Sequence, residues 1–156
     1  MKIMVATDGS PGGAAALKFA VRLASEERGS DLVVLTVASP NGASPGGPGE
    51  PHDSDPKAAA QRVLDKAARD MGERRGTARF QLVTARRRGE VPEAISREAD
   101  RLKADLVVVG SEGRDTLSEW VLGGTALRLI YVAHRPVTVV RAPRRRKASG
   151  VSGESR

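Results

Sequence analysis

The chain has 156 residues, with 26 Lys and Arg against 19 Asp and Glu, a net charge of +7, and no cysteine. That length suits one domain with a core of its own. The absence of cysteine excludes disulfides, thiolate metal sites and cysteine nucleophiles. With aromatic residues at 3%, the core has to be assembled from Val, Leu, Ile and Ala.

No apolar run approaches the roughly 20 residues of a membrane span. The opening MKIMVAT reads as a strand and lacks the long apolar region of a secretory signal. The expected location is the cytoplasm, in keeping with the missing cysteines. Much of the positive charge sits in Arg86-Arg87-Arg88 and Arg144-Arg145-Arg146-Lys147. Without interleaved aromatics these runs offer no base-stacking platform, so nucleic acid is not the expected partner. Residues 1–142 form the expected domain, and 143–156 read as a basic disordered tail without apolar periodicity.

Ile3 to Ala6 is a continuous apolar run, the signature of a strand covered on both faces. After it, Asp8-Gly9-Ser10-Pro11 is a turn that opens a helix, with Ser10 as N-cap and Pro11 at the first helical position. Leu17, Ala20, Leu23 and Ala24 recur at helical spacing, which predicts a helix over Pro11–Glu27 that Gly29 ends. Asp31 to Val37, DLVVLTV, is the second buried strand. The stretch 39–56 is rich in Pro, Gly, Ser and Asp and reads as a mobile insertion, either a lid or disorder.

Pro56 starts a second helix with the stripe Ala60, Val63, Leu64, Ala67 and Met71, closed by Gly72 to Gly76. Phe80 to Ala85 is a third strand. Gly89 and Pro92 lead into a third helix with the face Val91, Ile95, Ala99 and Leu102. Leu106 to Gly110 is a fourth buried strand, followed by a glycine-containing loop. A fourth helix starts at Gly123-Gly124 and ends near His134, and Pro136 opens a fifth strand, Val137 to Arg141. Strict alternation of strand and helix gives a parallel sheet with helices on both faces and right-handed crossovers. Ligands of such sheets sit beyond the C-terminal strand ends, where strand order reverses.

The stretch from Asp105 to Arg141 carries the most specific signal. Gly110, two residues, Gly113, nine residues and Gly123 form a G-x2-G-x9-G pattern. Glycines let backbone approach a ligand, and a helix N-terminus attracts anions. The pattern resembles the nucleotide-binding motif of the universal stress protein family. The opening strand ending in Thr7-Asp8, followed by Gly9-Ser10 and a helix, resembles the same family, and the likeness runs from Lys2 to Arg141. It implies a Rossmann-like, adenine nucleotide alpha hydrolase-like α/β fold, a doubly wound parallel sheet with five strands in the order 3-2-1-4-5. The crevice between strands one and four then brings Asp8 and Gly110 to one place.

The resemblance also implies a ligand, ATP or a related adenine nucleotide, with Mg2+ accompanying it. The matching site residues are Thr7, Asp8, Val37, Gly110, Gly113, Arg114, Gly123, Gly124 and Thr125. Asp8 lies beside the nucleotide in the functional reading, helping to hold the metal indirectly; in the structural reading it closes an Asx-turn or caps the helix. Arg114 either neutralises phosphate or is simply solvated. At Gly124 the family places Ser or Thr, so here the hydroxyl is missing and the next one appears at Thr125. Trp120 covers the nucleotide or packs the loop, His52 has no ligand-spaced partner, and His134 favours the C-terminal dipole of the fourth helix. The apolar, β-branched Pro136–Arg141 strand is an edge that invites pairing, and the family forms homodimers through it. The implied function is a dimeric stress-response module that binds ATP. A slow metal-dependent ATP hydrolase, and a family member that acts through protein contacts without nucleotide, are the alternatives.

Overall fold

The computed structural model describes residues 1–40, 55–111 and 122–143. The core of the 39–56 insertion and the tail from 144 onwards lie outside the described residues. The apolar runs become five strands, β1 (Lys2–Ala6), β2 (Asp31–Ala38), β3 (Ala78–Thr84), β4 (Leu106–Gly110) and β5 (Val137–Val140). Between them run α1 (Pro11–Glu26), α2 (Pro56–Met71), α3 (Val91–Leu102) and α4 (Gly124–Val132), with short 3-10 turns at Gly72–Thr77 and Arg88–Glu90. All pairings are parallel, in the order β3-β2-β1-β4-β5. This is the doubly wound order that the family resemblance implies. The central strand β1 sets the register: Ile3 lies opposite Leu32 of β2 and Leu106 of β4.

Because side chains alternate across a strand, the sheet builds two cores. Ile3, Val5, Val34 and Val108 pack with Leu17 and Ala20 of α1 and Leu64 and Ala67 of α2. Met4, Val33, Leu35, Val107 and Val109 pack with Ile95 and Ala99 of α3 and Ala126 and Leu129 of α4. Each fully buried aliphatic side chain contributes about 1.5–3 kcal/mol, so the two faces hold the strand ends in fixed relation.

Element ends differ slightly from the pattern reading, for local reasons. β3 begins at Ala78 because its ladder with β2 starts at the Leu32–Ala78 pair. α4 stops at Val132. The Ala133 N–H still donates to the Leu129 carbonyl at 2.9 Å, but Ala133 itself is extended (ψ 134°) and leads into β5. β5 ends at Val140, the partner of Gly110 at the end of β4.

His134 leaves the helix axis and engages an acid. Its Nδ1 lies 2.8 Å from Asp100 Oδ2, and Arg135 Nε donates to Asp100 Oδ1 at 2.9 Å. These contacts tie the end of α3 to the link between α4 and β5. The hydrogen bond from His134, then that from Arg135, holds the Asp100 carboxyl below its ordinary range. A carboxyl whose pKa is depressed by folding stabilises the fold above its unfolded value, near 3.9, and that contribution is lost as pH falls through the folded value. Asp100→Asn should therefore lower the melting temperature at pH 7. The difference from wild type should shrink steadily as thermal melts are repeated below about pH 4.

Candidate functional site

The C-terminal ends of β1 and β4, the two strands at which the sheet reverses, are joined by the start of α1. Thr7 is buried; its carbonyl accepts from Thr36 Oγ1 at 3.0 Å, and its own Oγ1 accepts from Gly9 N–H at 3.3 Å. Asp8 is exposed at the crevice mouth. Its Oδ1 accepts from Ser10 N–H at 2.9 Å, the Asx-turn of the structural reading. Gly9 takes the positive φ of 76° that this turn needs. Ser10 is the N-cap, its Oγ accepting from Gly13 N–H at 3.1 Å, and Pro11 occupies the first turn.

Gly110 and Gly13 are what let α1 sit so close. A Cβ on Gly110 would lie 2.5 Å from the Gly12 carbonyl oxygen and 2.9 Å from Gly12 Cα. A Cβ on Gly13 would lie 2.6 Å from Thr7 Oγ1 and 2.8 Å from Asp8 Oδ1. Gly110 therefore makes room for the helix start, in addition to the loop role expected of it. Gly12 and Gly13 were not among the expected site residues. Their sequence signal was present, a glycine pair directly after an N-cap and proline.

The start of α4 meets the same sheet edge. Ser111, one residue past β4, donates its N–H to Val140 at 2.8 Å and accepts Gly123 N–H at 2.7 Å. Gly123 is the N-cap of α4 and caps the helix with no side-chain hydrogen bond. Gly124 and Thr125 follow, both exposed, and a Cβ on Gly124 would meet nothing within 4 Å. Among the described residues no side chain caps the first-turn N–H groups of α4, and a positive helix end of that kind favours an anion.

α4 is held in place from α3. Arg128 Nε donates to Glu93 Oε1 at 2.6 Å, and Ser96 Oγ donates to the Val132 carbonyl at 3.1 Å. A backbone hydrogen bond, helped by Arg128, holds the Glu93 carboxyl below its ordinary range against the opposing effect of burial. Val37 lies half-buried near the end of β2, opposite Val83 and packed on the α3–α4 core. The structure thus brings Thr7, Asp8, Val37, Gly110, Gly123, Gly124 and Thr125 to the C-terminal side of one sheet. Gly113, Arg114, Trp120 and His52 lie outside the described residues.

Gly110→Ala and Gly13→Ala should each destabilise the fold by about 1–3 kcal/mol through overpacking, read as a lowered midpoint in urea. Gly124→Ala should leave the midpoint within about 0.5 kcal/mol of wild type, since its Cβ points into open space.

A profile of the universal stress protein family matches residues 1–141. A universal stress protein of Methanocaldococcus jannaschii is 33% identical over 146 residues, covering 92% of this chain and 84% of that protein. Among solved structures, a universal stress protein in complex with cAMP superposes with a TM-score of 0.63 at 21% identity, covering 92% of this chain and 98% of that one. A universal stress protein family protein from Arabidopsis thaliana with AMP bound gives a TM-score of 0.62 at 19% identity, with 92% of each chain covered. At these identities the two structures speak for the fold.

Proposed function

The chain belongs to the universal stress protein family, and we propose that it is a binding module for ATP or a related adenine nucleotide, acting as a homodimer in stress signalling. The observation that carries the reading is the α4 N-terminus: glycine-entered, without a side-chain cap, and hydrogen-bonded through Gly123 to the residue that follows β4. Relatives of the same fold hold cAMP and AMP, which supports an adenine nucleotide as the ligand class. In this reading the phosphates lie against the N–H groups of Gly124 and Thr125, the base lies toward Val37, and Thr7 and Asp8 line the wall between. Gly113 and Arg114 enter through the motif spacing.

Mg2+ would arrive with the phosphates. Among the described residues, no group of three His, Asp or Glu side chains is placed to hold a metal. Mg2+ prefers phosphate oxygens and water as ligands, and Asp8 would lie alongside.

Calorimetric titration with ATP and magnesium tests the site. Wild type should bind, and Gly123→Val should abolish binding by putting a branched side chain at the helix entrance. Gly124→Ser should tighten binding by up to about tenfold, the worth of one added hydrogen bond. A gain of that kind cannot come from misfolding. No binding by wild type at millimolar ATP would overturn the reading.

The dimer reading rests on the sheet edge. Among the described residues β5 is paired only on its β4 side, and its four residues are partly buried. On the adjoining α4, Leu127, Ile130 and Tyr131 are 45%, 48% and 80% exposed and share one helix face. We expect two copies to pair along β5, burying this face. Sedimentation equilibrium should give a dimer for wild type and a monomer for the Ile130→Lys, Tyr131→Lys double variant. A wild-type monomer at micromolar concentration would contradict it.

A further inference from the structure

Ser111 carries a hydroxyl with no hydrogen-bond partner among the described residues. The residue is 5% exposed, and its Oγ is buried. An orphaned buried hydroxyl is costly, and native folds keep few of them. Its backbone, by contrast, is fully engaged: the N–H is held by Val140 and the carbonyl by Gly123. The residue is therefore pinned where β4, β5 and the entrance of α4 meet.

Strand alternation gives the direction of the side chain. Val108 packs on the α1–α2 side and Val107 and Val109 on the α3–α4 side. Gly110 follows the same alternation, since the space its Cβ would occupy is filled by Gly12 of α1. Ser111 then points to the side of α4, whose N-cap, Gly123, has no side chain of its own. One turn about χ1 re-aims the hydroxyl without disturbing either backbone hydrogen bond.

We infer that the Ser111 hydroxyl is a phosphate-binding group, taking the place of the side chain that Gly124 lacks; this rests on the nucleotide reading above. An anion drawn to the α4 N-terminus meets a neutral O–H donor already desolvated, and a hydrogen bond to a charged oxygen is about twice as strong as a neutral one. The cost of the orphaned hydroxyl in the free protein is then recovered when phosphate binds. Stability and affinity respond in opposite directions to its removal, which a merely structural serine would not produce.

Ser111→Ala and wild type should be compared by thermal melting without ligand and by calorimetry with ATP, AMP and adenosine. The variant should melt at the same temperature as wild type or higher. It should bind ATP and AMP about five- to tenfold more weakly, with adenosine affinity unchanged. Adding Gly124→Ser to the Ser111→Ala variant should recover the lost affinity. Unchanged ATP affinity in the variant, an equal loss for adenosine, a lower melting temperature without ligand, or no recovery on adding Gly124→Ser would each overturn the assignment while the nucleotide reading stands. Failure of wild type to bind ATP at all would overturn both.

Discussion

Backbone-to-backbone contact between Gly110 and Gly12 fixes the geometry on which the rest of this molecule depends. A side chain at Gly110 would push α1 away from the end of β4. The helix start would then no longer bridge the two strands where the sheet reverses. Gly13 repeats the device one residue on, against Thr7 and Asp8. Parallel sheets with helices on both faces leave their crevice at this reversal. In this chain the crevice is narrowed until the Asx-turn of Asp8, the N-cap of Ser10 and the end of β4 lie together.

The opposite wall is built from α4, and its position is equally constrained. Ala126 and Leu129 bury into the second core, Arg128 pairs with Glu93, and Ser96 holds the last turn. The helix is thus anchored along its length, while its first turn is left with a glycine N-cap and exposed Gly124 and Thr125. An anchored helix whose N-terminus has no side-chain cap among the described residues is suited to binding an anion by backbone. In the proposed function, this is how a family member lacking the hydroxyl at position 124 keeps a phosphate site: backbone donors hold the anion, and a side-chain hydrogen bond changes affinity by up to about tenfold.

Much of the fold was legible because its signals are local. Continuous apolar runs such as DLVVLTV and LVVVG mark strands buried on both faces, and Ser10-Pro11 marks a helix start. The strand order was not in the periodicity; it came from the family likeness, since alternation of strand and helix permits several orders. Of the candidate site, the placement of Asp8, Gly110 and Gly123 at element ends follows from the same local patterns. The close packing of Gly110 on Gly12 does not, because the two residues are far apart in sequence and meet only through the sheet. From its place near the end of the fourth helix, His134 reads as a helix-dipole residue. Its partner, Asp100, sits on another helix that no local pattern connects to it. Ser111 gave no signal, since a single serine after a strand looks like any turn residue until its missing partner is seen.

In the proposed function an adenine nucleotide binds across the ends of β1 and β4 with its phosphates at the start of α4. Amide chemical-shift mapping of the 15N-labelled protein during titration with AMP tests this most directly. The account predicts saturable shifts at Asp8, Gly9, Ser111, Gly123, Gly124 and Thr125, with Tyr131 on the outer face of α4 unaffected. Saturable shifts confined to other parts of the molecule, or none at these amides, would contradict it.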